Sequence, residues 1–176
     1  MRTVILLSTV AFLLCNHILQ AQKAGSPEAK LAELGITLPE TGAPVANYVN
    51  AVRTGKLIFL AGKGPRQPDG KYITGQVGRD LTVQQGYDAA KLTAINQLAA
   101  LKAEIGDLSR VKRIVKVLGM VNAGPDFSQH PQVVNGFSDL MVAVFGEKGK
   151  HARSAVGMSS LPLGMAVEVE MIVEIK

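Results

Sequence analysis

The chain has 176 residues, 47% of them hydrophobic and 19% charged, which describes one globular domain able to bury a core and excludes disorder as its main state. A net charge of +5 permits attraction of anions through the long-range field. The basic residues are interspersed with acidic ones, aromatic residues are only 5% and tryptophan is absent, so the stacking surface that single-stranded nucleic acid uses is thin and no nucleic-acid partner is expected.

Met1-Arg2, the apolar run from Thr3 to Cys15, and Leu19-Gln20-Ala21 have the charged start, short apolar middle and small terminal residue of a secretory signal peptide. The sequence thus predicts a signal over residues 1–21, cleaved near Ala21, and an exported protein, periplasmic or secreted. The run is shorter than the roughly 20 apolar residues of a membrane span, so no membrane association is expected after cleavage. Leu14 stands where a lipidated cysteine wants a small neighbour, which disfavours lipidation of Cys15. Because Cys15 is the one cysteine, the mature chain would have no disulfide, thiol nucleophile or Cys-ligated metal.

Ser26 is a good N-cap, with Pro27 at the first helical position and Gly35 just past the end, and predicts a short helix over Pro27 to Leu34. It belongs to an N-terminal extension, residues 22–42, whose Leu31, Leu34 and Ile36 are expected to cover an edge of the domain that occupies residues 43–176 or a partner subunit. Tyr48 to Val52, a Thr54-Gly55-Lys56 turn and Leu57 to Ala61 read as a β-hairpin. Gly62 to Gly70 reads as a loop. Its Gly62-x-Gly64 lacks the third glycine and following helix of a phosphate-binding fingerprint. Tyr72 to Thr74 is a further short strand. Thr82 caps a long helix to about Glu104, with Val83, Tyr87, Ala90, Ala94, Leu98, Leu101 and Ile105 at three- and four-residue steps.

Val111 to Val121 reads as a strand whose alternation breaks around Arg113 and Ile114. Pro131 opens a second long helix with the stripe Val133, Phe137, Leu140, Met141 and Val144. Ser154 to Met158 is a short strand, Leu161 to Gly164 a turn, and from Met165 strict alternation places Met165, Val167, Val169, Met171, Val173 and Ile175 on one side of a half-buried strand. Strands, helix, strand, helix and two strands make an α+β domain with helices covering one face of a sheet.

The C-terminal segment also carries the chemistry. If its two strands lie in one sheet with their apolar sides in register, Arg153 shares the polar face with Glu168 and Glu170. A guanidinium there could present a rigid fork to a substrate carboxylate or merely join a surface ladder of ion pairs. Asn135 lies about 200° around the helix from Phe137, so it faces solvent or another subunit. With only His130 and His151 beyond His17, and no HxxH or HExxH, a metal site is not expected. Two histidines could serve a ribonuclease as acid and base, with Lys148, Lys150 and Arg153 holding phosphate.

The run Ala152-Arg153-Ser154-Ala155-Val156-Gly157, then Leu161-Pro162, then Val167-Glu168-Val169-Glu170, resembles the C-terminal signature of the reactive intermediate deaminases, also called the Rid, YjgF or endoribonuclease L-PSP family. A weaker likeness extends back to about Ala43. The resemblance implies a chorismate-mutase-like fold, a mixed sheet with two helices on one face, and a homotrimer with sites in the clefts between neighbours. It also implies a small 2-imino or 2-oxo carboxylate as substrate, hydrolysed to a 2-oxo acid and ammonia, and no cofactor. Arg153 then matches the arginine that holds the substrate carboxylate, Glu168 the glutamate that positions water, Tyr48 a residue that closes the apolar side of the pocket, and Asn135 one that donates to the substrate. Two positions depart from the pattern: Ala61 replaces a serine, and Ala155 replaces a cysteine common in deaminating members. The alternatives are a carboxylate-binding or scaffold module without catalysis and, third, a ribonuclease or translation inhibitor.

Overall fold

The computed structural model describes residues 25–42 and 46–176; the expected signal peptide lies outside them. Among the described residues three α-helices and five strands follow one another as α1 (Pro27–Glu33), β1 (Ala51–Thr54), β2 (Leu57–Lys63), α2 (Val83–Ile105), β3 (Val111–Asn122), α3 (His130–Phe145), β4 (Ala152–Met158) and β5 (Val167–Ile175). The strands form one sheet in the order β1-β2-β5-β3-β4. Every pair is antiparallel except β3 with β4, which is parallel and reached through α3. The sheet is therefore mixed, with α2 and α3 on one face.

The local signals work as the sequence implies. The Ser26 hydroxyl accepts from the Ala29 N–H and caps α1. Thr82 and Gln85 form a reciprocal capping box at the start of α2. The hairpin is shifted from its expected place: β1 begins at Ala51, a two-residue Gly55-Lys56 turn replaces the three-residue one, and Tyr48 and Val49 precede the strand. Gly55 has φ +57°, which its missing Cβ allows. Tyr72 and Thr74 make only isolated bridges, to Arg66 and Met165, rather than a strand.

The broken alternation in β3 is two register shifts against β5, one between Val111 and Arg113 and one between Ile114 and Lys116. They let Val111, Ile114 and Val117 all point into the core. Phe137, Leu98, Leu101, Ile58 and the inward row of β5 fill the space between sheet and helices. Gln97 sits among them, wholly buried, and its Nε2 donates to the carbonyls of Ala61 and Val169 at 2.9 and 2.6 Å. It ties α2 to β2 and β5 just where β2 leaves regular pairing. Leu31 of α1 is buried against this core, while Leu34 stays exposed.

α2 and α3 meet at Gly136, where an added Cβ would lie 2.0 Å from the Tyr87 carbonyl oxygen. Backbone cannot yield there without separating the helices. Gly136→Ala is expected to destabilise the protein by about 2 kcal/mol or more, read as a lower denaturant midpoint with unchanged slope.

Candidate functional site

The C-terminal strands lie in one sheet, but the polar face that Arg153 was expected to share with Glu168 and Glu170 is overturned. β4 and β5 do not touch; they flank β3 on opposite sides. Arg153 shares a row with Val117 and Met171, whereas Glu168 shares one with Met120 and Val156. Paired residues point to the same side of a sheet and odd and even positions to opposite sides, so Arg153 is on the helix-bearing face and Glu168 and Glu170 are on the open one. Val156 and Met158, the apolar positions of β4, are exposed on the open face, at 39% and 38%, so the apolar sides of β4 and β5 are not in register. The two principal candidates thus stand in separate half-sites.

The first half-site is at the outer edge of the sheet. Nη1 of Arg153 donates to Asn135 Oδ1 and Ser138 Oγ, each at 2.9 Å, and Nη2 points to the Pro131 carbonyl at 3.4 Å. Asn135 is exposed, as its place on the helix implies. Ser138, one turn on, is joined to His151, whose Nε2 lies 3.0 Å from Ser138 Oγ and whose Nδ1 lies 2.6 Å from the Gly149 carbonyl. A carbonyl only accepts, so Nδ1 carries the proton and Nε2 accepts from the serine hydroxyl. The guanidinium is thereby aimed by a chain that runs from Gly149 through His151 and Ser138. Ala155, the next inward position on β4, packs against the core.

Burial first, and the neighbouring Arg153 charge second to it among the depressing causes, hold the His151 pKa below its ordinary value, against the opposing pull of the Gly149 carbonyl. The unfolded chain takes a proton near pH 6.5, before the folded one does, so stability is full above that pH and is lost as pH falls through the folded value. Between pH 7 and 5, wild type is expected to lose thermal stability by an increment that His151→Gln lacks, measured as the difference in Tm between the two proteins across that range.

The second half-site is where β2 ends against β5. The Glu168 carboxylate lies over Gly62, occupying the space a Cβ would need; any larger residue at 62 would displace it. Burial first and then the Glu170 charge raise the Glu168 pKa, while Lys63 pulls it down. Lys63 is itself depressed by burial, offset in part by Glu168, and its Nζ donates to Asn50 Oδ1 at 2.6 Å. Tyr48 is exposed and lines the same cavity as Asn50 and Lys63. The Ala61 carbonyl accepts from Gln97, and its side chain lies near Glu170 on the open face.

Ser138, Lys63 and Asn50 were not singled out from sequence, and His151 was weighed only as a nuclease residue. Ser138 carries a usable signal, the i, i+3 spacing from Asn135 on one helix face. Lys63 and Asn50 meet only because the hairpin folds. His130 stacks edge-on against Phe127, centroids 5.1 Å apart, and does not join the Arg153 chain. Among the described residues no three His, Cys, Asp or Glu side chains converge as a metal site would need.

Residues 28–175 match the model of the YjgF/chorismate mutase-like family, whose description carries a provisional endoribonuclease assignment. Protein TCP17 of Trypanosoma cruzi is 45% identical over 153 residues, 86% of this chain and 96% of that one. The crystal structure of Atu1372 from Agrobacterium tumefaciens, of unknown function, is also 45% identical, with TM-score 0.79 over 85% of this chain and 94% of that one. A structure from Shewanella oneidensis MR-1, provisionally assigned as an endoribonuclease, is 35% identical with TM-score 0.82, covering 85% and 99%.

Proposed function

The chain belongs to the YjgF/chorismate-mutase-like family, that of the reactive intermediate deaminases, and from that premise we propose that it binds small 2-imino and 2-oxo carboxylates in clefts between the subunits of a homotrimer and hydrolyses the imines to 2-oxo acids and ammonia. The observation that carries this reading is the splitting of the site. One edge of the chain offers an aimed guanidinium with an exposed asparagine beside it. The open face of the sheet, where β2 ends against the central strand β5, offers a half-buried carboxylate of raised pKa with a tyrosine nearby. Each half lacks what the other has, and a neighbouring copy would supply it.

In that cleft the Arg153 fork receives the substrate carboxylate through charge-assisted hydrogen bonds. Glu168 accepts a proton from water as the water oxygen bonds to the imine carbon. The same carboxyl returns the proton to nitrogen, giving the carbinolamine; it then takes the hydroxyl proton and passes it to nitrogen as the carbon–nitrogen bond breaks, so that ammonia leaves and the carbonyl of the 2-oxo acid forms. Holding water and imine together supplies much of the acceleration for so reactive a substrate.

Assembly has its own support. The open face of the sheet exposes Val52, Phe59, Val156 and Met158, an apolar surface that a subunit interface would cover. Phe59→Glu is expected to shift the protein to monomers in sedimentation velocity and to remove imine hydrolysis with it, while circular dichroism stays unchanged. Export through residues 1–21 completes the reading and is tested by the N-terminal sequence of protein recovered outside the cytoplasm.

The function is tested by ammonia release from freshly generated 2-imino acids against the uncatalysed rate. Acceleration supports the deaminase. Affinity for 2-oxo acids without acceleration would support a binding module, the reading favoured by the apolar Ala61 and Ala155. The ribonuclease reading draws little from the geometry, since His151 is engaged with Ser138 and Gly149 and His130 with Phe127.

A further inference from the structure

Beside the Glu168 half-site, between the end of β2, the loop that follows it and the second half of α2, lies a cavity of about 390 Å³. Its walls include Tyr48, Asn50, Lys63, Arg66, Tyr72 and Asn96, and its one acidic residue is Glu40. Lys63 donates to a neutral amide oxygen, at 2.6 Å, which orients its charge, and Glu168 offsets that charge only in part. The Arg66 guanidinium lies across the opening: Nη1 would be 3.9 Å from a Cβ on Gly42, and Nη2 3.4 Å from one on Gly70. Among the described residues Arg66 makes no ion pair.

The loop that bears Arg66 is fixed in place. Asn96 Nδ2 donates to the carbonyls of Gly64 and Arg66 at 3.0 and 3.1 Å. Two cations thus border the cavity, a half-buried Lys63 inside it and a solvent-exposed Arg66 at its mouth, so an anion placed there meets two positive charges, more strongly at Lys63, where water screens less. The cavity also adjoins the reacting centre. Lys63 is attracted to Glu168, and the residue before it, Gly62, carries the Glu168 carboxylate on its backbone.

Resting on the deaminase reading above, we infer that this cavity is the subsite for a second anionic group, so that the preferred substrates are 2-imino and 2-oxo dicarboxylic acids, with the distal carboxylate held by Lys63 and Arg66. A monocarboxylic acid would place no charge of its own beside either cation.

Calorimetric titration of the full chain with 2-oxoglutarate, 2-oxobutanoate and inorganic phosphate tests this in wild type, Lys63→Gln, Arg66→Gln and Arg153→Ala. The dicarboxylate is expected to bind wild type at least about tenfold more tightly than the monocarboxylate, as one charge-assisted hydrogen bond allows. That ratio should collapse toward one in Lys63→Gln and in Arg66→Gln. Equal affinities in wild type, or a preference that survives both substitutions, would overturn the subsite. So would phosphate binding that needs the two cations while 2-oxoglutarate binding does not. The two readings fail separately. Monocarboxylate binding that needs Arg153, without a dicarboxylate preference, sinks the subsite alone; a preference that needs Lys63 and Arg66 but is indifferent to Arg153 keeps the subsite and sinks the assigned role of Arg153. No binding of either acid sinks both.

Discussion

Arg153→Ala is expected to lower kcat/KM for 2-imino acid hydrolysis by about two orders of magnitude or more. Each hydrogen bond from an ionised donor to a carboxylate contributes about 1.5–3 kcal/mol, and a guanidinium fork makes two. The geometry also says why lysine is a poor substitute. Arg153 uses Nη1 to bond Asn135 and Ser138 together, which fixes the plane of the group; a single ammonium can neither span those two acceptors nor present parallel donors to a carboxylate. Arg153→Lys should therefore fall close to alanine. Folding should survive either change, because the Ser138 to His151 to Gly149 chain stays closed without the guanidinium. Steady-state kinetics and thermal unfolding of both variants check this. Loss of activity with retained stability supports the role; retained activity in Arg153→Ala contradicts it.

Glu168→Gln is expected to cost about 10²–10⁴ in kcat, the usual contribution of a general base, while raising stability at neutral pH. The second half follows from the sign of the shift. Burial and Glu170 raise the folded pKa above the unfolded one, so the folded state holds the proton more tightly. Stability conferred in acid is lost as pH rises through the folded value, and at neutral pH the ionised carboxylate is a liability that glutamine removes. Such a pairing of lost activity with gained stability is common where an active site is strained by charge. In wild type, kcat/KM should climb with pH through a value above the ordinary glutamate range. Glu170→Gln should move that limb to lower pH, and Lys63→Gln should move it higher. A Glu168→Gln protein that keeps wild-type turnover, or a limb that neither neighbour moves, would remove Glu168 from the chemistry.

Much of the fold was legible because it rests on local periodicity. The stripe of α3 and the alternation of β5 need only knowledge of which residues are apolar, and both are buried as written. The interruption in β3 was visible too, although its cause, two register shifts against β5, belongs to a pairing that one strand cannot reveal. The relative facing of the two C-terminal strands is where the reading failed. Arg153 and Glu168 fall in adjacent strands of the sequence, and a direct hairpin between β4 and β5 would have put them together. The chain instead inserts β3 between them, and β4 runs parallel to it. Nothing in either segment encodes that choice; it comes from the crossover through α3, whose apolar face must cover the sheet. Lys63 and Asn50 were likewise invisible as a pair, being joined only across the hairpin.

The central claim is that the two halves of the site meet only between copies of the chain, and subunit complementation tests it most directly. Arg153→Ala and Glu168→Gln chains, each inactive alone, are coexpressed and the mixed assemblies assayed for ammonia release from 2-imino acids. A cleft built from Arg153 of one copy and Glu168 of the next is intact in about a quarter of randomly mixed pairs, so recovery of roughly that fraction of wild-type activity is predicted. Mixed assemblies that remain as inactive as their parents would contradict the account, because a site contained in one chain cannot be repaired by its neighbour.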